Sequence, residues 1–182
     1  MDVVPRIWRR VQVPARLTLS GPSATLQIVM GWEGYHLHRF EIAGTCYGNG
    51  PGDRGEDEAV EEVVPPRLDI RRSPVRRPWD SVPTVFFYEY DFGDSWIHEV
   101  RVEKIVRPNT RIRYPLCLAG ARPAPPEDRG GPWGYGEWLA ARTADRLFDH
   151  EEGDDERVRS FDLDGVNALL REHVQGKEKY GL

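Results

Sequence analysis

The chain has 182 residues, is 39% hydrophobic and 30% charged, and carries a net charge of −5. That length favours a single domain with a buried core, and the lack of an apolar run of about 20 residues argues against a membrane-spanning protein. The first residues do not form the apolar stretch of a signal peptide, so the sequence predicts a cytoplasmic protein without a membrane partner.

The first elements predicted along the chain are a strand, a helix and a second strand. Apolar residues alternate over residues 6–13, which favours a strand. Residues 18–30 have apolar residues at helical spacing, with a start near Ser20 and Gly31 in the place of a C-terminal cap. Alternation returns over residues 35–42 and predicts another strand.

The strongest pattern lies between residues 85 and 106. Aromatic side chains alternate up to Phe92, the turn residues Gly93-Asp94-Ser95 follow, and alternation resumes at Trp96. This arrangement is typical of a β-hairpin. We expect the hairpin to form the centre of a mainly antiparallel or mixed sheet.

The C-terminal third predicts two helices after a loop. Residues 115–134 are rich in Pro and Gly and are expected to be a loop. A short helix is predicted over 135–143, and a last helix begins after Asp162, a good N-cap. Because helices and strands do not alternate, we expect an α+β fold, one domain over residues 1–182, with helices packed on the sheet.

Two segments, residues 48–83 and 145–158, are expected to be mobile and to lie at the surface, because acidic runs in them have little apolar content. The first also contains a stretch in which arginines are combined with an aromatic residue. Its candidate nucleic-acid contacts are Arg71, Arg72, Arg76 and Arg77. Neutralisation of the acidic runs is the alternative use for these arginines.

Three blocks of sequence, in order, resemble one known family. They are Ile7-Trp8-Arg9-Arg10-Val11-Gln12-Val13-Pro14; Tyr88-Glu89-Tyr90-Asp91-Phe92-Gly93-Asp94-Ser95-Trp96 with His98; and Cys117-Leu118-Ala119-Gly120 with Pro125-Pro126-Glu127-Asp128 and Gly130-Gly131-Pro132-Trp133-Gly134-Tyr135. The chain resembles the plasmid pRiA4b ORF-3-like family over nearly its whole length, apart from residues 48–83.

The resemblance implies an α+β fold and an occurrence on plasmids, on chromosomes and as passenger genes of insertion-sequence elements. It implies no reaction. The resolvase label sometimes used in that setting would need a nucleophilic Ser or Tyr in a recombinase context, which the sequence lacks. Many members have cysteines where this chain has Ala124 and Arg129, so a Cys-based metal or redox role is not expected, and we expect no cofactor.

Carboxylates and one histidine in these blocks are candidates for divalent-metal or acid–base chemistry. They are Asp91, Asp94, His98, Glu127 and Asp128. A structural use is the alternative. Asp94 would then cap its own turn and Asp91 would pair with an arginine.

Glu127 and Asp128 would, in the same structural alternative, pair with Arg9 or Arg122.

A separate candidate is a three-histidine metal site. His36 and His38 are two residues apart, so they point the same way on a strand, and His98 would complete the set.

The sequence favours a non-enzymatic binding or accessory protein, linked by the resemblance to plasmids or mobile elements, with a protein or nucleic acid as partner. One alternative is a metal-dependent hydrolase using the four carboxylates Asp91, Asp94, Glu127 and Asp128. A further alternative is a nucleic-acid binder acting through Arg67–Arg77.

Overall fold

A computed structural model describes residues 3–14, 16–17, 19–48, 68–69, 85–148 and 161–180. Its helices are α1 (Ser20–Met30), α2 (Gly131–Phe148) and α3 (Leu163–Tyr180). Its strands are β1 (Trp8–Gln12), β2 (Arg16–Leu17), β3 (His38–Ile42), β4 (Thr45–Gly48), β5 (Leu68–Asp69), β6 (Val85–Tyr90), β7 (Trp96–Arg101) and β8 (Leu116–Ala121). All strand pairs among them are antiparallel, so the predicted α+β fold is confirmed. No helix in these ranges has the length and apolarity to cross a membrane.

The chain divides into two compact units. Unit 1 consists of Met1–Val13, Ala24–Glu33 and Thr110–Leu182. Unit 2 consists of Pro14–Ser23 and Gly34–Asn109.

Most of the two segments expected to be mobile falls outside the described residues. Of residues 48–83, only Gly48 and strand β5 are described, so the nucleic-acid candidates Arg71, Arg72, Arg76 and Arg77 lie outside. Of residues 145–158, the first four belong to α2, which is longer at both ends than the predicted helix.

The main sheet of unit 2 has the strand order β4-β3-β6-β7. The predicted hairpin therefore supplies an interior strand, β6, and an edge strand, β7. Its alternation is confirmed, because Phe86, Tyr88 and Tyr90 are buried while Phe87 between them is exposed. Alternate residues of a strand face opposite sides of the sheet, and one side here forms the core.

Aromatic rings fill the core of unit 2. The Phe40 ring centroid lies 4.8 Å from that of Tyr88 and 6.2 Å from that of Phe86. The first turn of α1 reaches this core, where Ser23 Oγ lies 3.3 Å from the Tyr88 hydroxyl. The hydroxyl of a fully buried tyrosine needs such a polar neighbour.

Unit 1 is built on a two-stranded ribbon of β1 and β8. Val29 of α1, Cys117 of β8 and Leu170 of α3 form its buried cluster. The sequence predicted a loop over residues 115–134, and this was wrong for β8. Helix α3 packs against β8, whereas the sequence predicted packing on the hairpin sheet.

Both predicted helix ends in unit 1 are confirmed by backbone bonds. Gly31 has a φ of +70° and its N–H donates to Ile28 O, while Trp32 N–H donates to Gln27 O. These two bonds form a Schellman cap, which favours glycine at the left-handed position. At the start of α3, Gly165 N–H donates to the N-cap side chain, 2.9 Å from Asp162 Oδ1.

Candidate functional site

The hairpin turn of unit 2 is organised by Asp91. Its φ is +56°, and its Oδ1 accepts hydrogen bonds from Gly93 N at 3.0 Å and Asp94 N at 3.4 Å. Ser95 N–H donates to the backbone carbonyl of the same aspartate. The Asx-type cap predicted for Asp94 is therefore made by Asp91, because the acceptor must precede the amides that it caps.

The ion pair predicted for Asp91 is made by Glu89, two residues earlier. Arg39 Nη2 lies 2.7 Å from Glu89 Oε2, and Nε donates to the same oxygen at 2.8 Å. The other carboxylate oxygen, Oε1, accepts a hydrogen bond from Ser95 Oγ at 2.9 Å. Arg39 and Glu89 are direct partners across β3 and β6, so the register of the sheet sets this pair.

His36 and Asp91 come together beside the same turn. His36 Nε2 lies 3.5 Å from Asp91 Oδ2. Two bonds position the segment that carries the histidine: Asp91 N–H donates to Leu37 O at 2.9 Å, and His36 N–H donates to the Tyr90 hydroxyl at 3.4 Å. The side chains of His36 and Asp91 are only 24% and 12% exposed, so both are largely buried.

The imidazole of His36 is held between two tyrosines. Its ring centroid lies 4.3 Å from that of Tyr35 and 5.5 Å from that of Tyr90, the latter in an edge-on arrangement. The sequence placed His36 among metal candidates and Asp91 among acid–base candidates. The structure brings these two residues together.

Asp94 contributes a second carboxylate to the turn. Its Oδ2 atom is buried and accepts no hydrogen bond from any described part of the chain. A buried carboxylate oxygen normally has a donor or a cation beside it.

The other two candidate histidines lie within the aromatic core. His98 Nδ1 lies 3.0 Å from Trp96 O and 3.3 Å from Tyr88 O. Carbonyl oxygens only accept, so Nδ1 carries the proton and donates. Burial lowers the pKa of the His98 imidazole and that of His38 below the ordinary histidine value. Their rings lie 5.8 and 5.7 Å from the Tyr88 ring.

The loop of unit 1 that carries Glu127 and Asp128 forms hydrogen bonds with the residues just after α1. Glu33 N–H donates to Glu127 Oε2 at 3.2 Å, and Trp32 Nε1–H donates to Pro125 O at 2.9 Å. Asp128 has a φ of +57°. Because Asp91 and Asp94 belong to unit 2 and this loop belongs to unit 1, convergence of the four carboxylates stays a prediction.

Arg9 was expected to pair with Glu127 or Asp128, but its guanidinium donates hydrogen bonds to backbone carbonyl oxygens. Nε donates to Val29 O at 2.8 Å, and Nη1 donates to Trp8 O and to Ala121 O. The guanidinium carbon also lies 3.9 Å from the centroid of the Phe161 ring. Burial lowers the pKa of Arg9 to about 10, so the side chain stays charged at neutral pH.

The side chain of Asn167 bonds to the backbone of Cys117, a contact that the sequence did not predict. Its Oδ1 accepts from Cys117 N–H at 2.9 Å, and its Nδ2 donates to Cys117 O at 2.9 Å. The amide thus bonds to β8 as a neighbouring strand would. Asn167 lies five positions after the N-cap Asp162, but its partner Cys117 lies 50 residues away.

Sequence and structure comparisons agree on the family. A sequence model described as plasmid pRiA4b ORF-3-like protein matches residues 1–169. The chain belongs to this family. It is also 34% identical over 167 residues to the uncharacterized protein y4hQ of Sinorhizobium fredii, covering 91% of this chain and 80% of that protein.

A crystal structure from the archaeon Methanosarcina mazei Go1 has a similar fold. It is that of protein MM3350, described as of unknown function, with a TM-score of 0.67 and 36% sequence identity. The match covers 91% of each chain. These relatives are uncharacterised, so the family supplies the fold and leaves the function to be argued from the residues.

Proposed function

We propose that the chain is a non-enzymatic binding protein that serves as an accessory factor for a plasmid or mobile element. The observation that supports this proposal most is the use of the motif carboxylates. Asp91 caps a turn, Glu89 pairs with Arg39, and Glu127 bonds to the backbone of Glu33. Side chains held in this way stabilise a scaffold, and a scaffold with bulky exposed residues is suited to binding.

The contact surface that we assign is the segment Gly34–Leu37 of unit 2. Tyr35 and Leu37 are 57% and 50% exposed, on either side of the largely buried His36. Tyrosine is enriched in the centres of protein interfaces, because it buries a large apolar area while its hydroxyl keeps a polar contact. We therefore expect the partner to be a protein with a small apolar recess.

A cytoplasmic location belongs to the same proposal. Cys46 is exposed and Cys117 is buried, and neither forms a disulfide. Reduced cysteines are usual in the reducing cytoplasm.

The alternative of a metal-dependent hydrolase is favoured by one contact. His36 Nε2 and Asp91 Oδ2 are close enough for a shared proton or a shared cation. Turnover of generic phosphoester or carboxylic ester substrates that needs a divalent metal, and is lost in Asp91→Asn, would replace the binding proposal. Asn keeps the Oδ1 acceptor of the turn, so this variant separates chemistry from folding.

The proposed function is tested by recovery of a partner from the native host. Tagged wild-type protein should retain a protein that a Tyr35→Ser, Leu37→Ser double variant does not retain. Ile97→Ser is the matched control, since Ile97 is 62% exposed on the edge strand β7. Equal retention by the double variant would refute the assigned surface, and retention of nothing specific by any of the three would refute the binding function.

A further inference from the structure

We propose that strand β7 is the contact surface between two copies of this chain, which pair antiparallel through their β7 edges and so join two unit 2 sheets. This goes beyond the proposed function, because it names a second copy of the chain as a partner. It also assigns a surface other than the segment Gly34–Leu37.

Strand β7 lies at one edge of the main sheet of unit 2, with β6 as its one neighbour among the described strands. The opposite edge strand, β4, has only four residues, and a short edge is one way in which proteins prevent further pairing. Strand β7 has six residues, contains no proline and pairs with β6 in a regular register. A regular edge of this kind can accept another strand.

The backbone groups of β7 that point away from β6 belong to Ile97, Glu99 and Arg101. Asp91 N–H donates to Leu37 O, on the side of β3, so the backbone groups of Tyr90 and of every second residue before it point to β7. Their partners on β7 are Trp96, His98 and Val100. The residues between these partners therefore direct their N–H and C=O groups towards the edge of the sheet.

The side chains of the same three residues form the exposed face of β7. Ile97 is 62% exposed, and the side chains of Glu99 and Arg101 are 53% and 63% exposed. The two charged groups are already paired along the strand, with Arg101 Nη2 2.9 Å from Glu99 Oε1. One carboxylate and one guanidinium two residues apart make this edge complementary in charge to a second copy of itself.

The charges select one register for the pairing of two β7 strands. A two-fold axis at Val100 places Glu99 opposite Arg101 of the partner subunit and repeats the same pair on the other side of the axis. Opposite charges directly across a strand pair are stabilising, and like charges are destabilising. The neighbouring register, with its axis at Glu99, would place two glutamates opposite each other.

The selected register also uses the other face of β7. Val100 lies on the face that includes the buried Trp96, and it is only partly buried at the edge of the sheet. The two-fold axis would bring it against Val100 of the partner subunit. Both valines would then lose apolar surface to water, which favours association.

The test is sedimentation velocity of the full-length protein over a range of concentrations. A reducing agent is present, because the exposed thiol of Cys46 is able to cross-link two chains. We expect reversible dimers with a dissociation constant on the order of 10–100 µM, since one strand pair buries less than the roughly 1,600 Å² of a standard interface. Higher salt should weaken the dimer by screening the exposed charge pairs.

Charge reversals locate the contact and its register. Glu99→Arg and Arg101→Glu each place like charges opposite one another twice, and each should weaken self-association at least about tenfold. An equimolar mixture of the two variants should recover dimers, because each arginine then faces a glutamate. Glu172→Arg is the matched control, since it makes the same change of charge at an exposed position of α3 and should leave the dimer unchanged.

A proline variant tests the backbone contribution separately. The N–H of Glu99 points away from β6, so Glu99→Pro removes a donor of the edge without removing a hydrogen bond of the hairpin. This variant should not dimerise, while its circular dichroism should match that of the wild type.

Three outcomes overturn the proposal. The first is a wild-type protein that stays monomeric up to about millimolar concentration. The second is a dimer that both charge reversals and Glu99→Pro leave unchanged, and the third is a mixture of the two reversed variants that recovers no dimer. None of them affects the accessory-protein proposal, which depends on retention of a different protein through Tyr35 and Leu37.

Discussion

In unit 2 the largest fully buried side chains are the aromatic residues Tyr88, Tyr90 and Phe40, whereas in unit 1 they are the aliphatic residues Leu170 and Val29. The difference extends to the polar groups. Unit 2 places its motif carboxylates Asp91 and Asp94 at a turn, whereas the imidazole of His98 lies in its aromatic core. In unit 1, Arg9 and Asn167 bond to backbone groups at part-buried positions.

The interior of unit 1 depends on a close fit between side chains and backbone. Arg9 and Asn167 bond to carbonyl and amide groups of α1 and β8. Gly120 lies where a Cβ atom would be 2.6 Å from the Phe161 ring and 2.9 Å from Arg9 Cδ. In this unit Arg9 and Asn167 are therefore explained by folding, while at the hairpin turn of unit 2 the buried Oδ2 atom of Asp94 has no hydrogen-bond donor among the described residues.

The largest loss of stability is expected from removing an aromatic ring from the core of unit 2. Tyr88→Ala removes a fully buried ring that touches Phe40, and should lower the free energy of unfolding by about 3–5 kcal/mol. Tyr88→Phe removes only the hydroxyl contact with Ser23 and should cost about 0.5–1.5 kcal/mol. Urea denaturation measures both. Equal losses would show that the hydroxyl, and not ring packing, stabilises this unit.

A smaller loss is expected from the polar interior of unit 1. Asn167→Ala leaves both backbone groups of Cys117 without the amide partner and should cost about 2–3 kcal/mol. Asn167→Asp should be no better, since its second oxygen would face the Cys117 carbonyl. Hydrogen exchange at the Cys117 amide should accelerate in both variants.

Glu172→Ala is the control for the Asn167 variants, because Glu172 is exposed on the same helix. It should change stability by no more than about 0.5 kcal/mol. If Asn167→Ala changed the free energy of unfolding as little as this control, the two hydrogen bonds from Asn167 to Cys117 would not stabilise unit 1. The contrast drawn between the two units would then not hold for this residue.

The parts of the fold that were predictable have local causes. Alternation over β6 and β7, Gly31 as a cap and Asp162 as an N-cap are all set by residues close in sequence. Strand β8 was missed because its small residues carry no strand pattern, and it becomes a strand by pairing with Val11 and its neighbours more than 100 positions away.

The candidate site was predictable in composition but not in pairing. Asp91 and His36 were both identified as chemically able residues, yet 55 positions separate them in the sequence. Their contact depends on the register in which His38 of β3 pairs with Tyr90 of β6. Which aspartate caps the turn depends on the positive φ of Asp91, a conformation that asparagine and aspartate tolerate but that the sequence does not specify.

The smallest predicted effect is a pH dependence that belongs to the core of unit 2. His98 is buried with Nδ1 donating to Tyr88 O and Trp96 O, and desolvation lowers its pKa in the folded protein. The unfolded chain, with a histidine pKa of about 6.5, therefore binds a proton more readily than the folded chain does. The contribution of His98 to stability is complete above pH 6.5 and is lost as the pH falls from 6.5 towards the lower folded pKa.

One proton changes the free energy of unfolding by at most about 1.4 kcal/mol per pH unit, which sets the slope that urea denaturation should detect below pH 6.5. His98→Asn keeps a donor near the two carbonyl oxygens but does not titrate, so the slope should decrease in this variant. A slope unchanged from the wild type would assign the acid sensitivity to other groups. A decrease would show that unit 2 holds a neutral imidazole in its aromatic core, as unit 1 holds a charged guanidinium among its carbonyls.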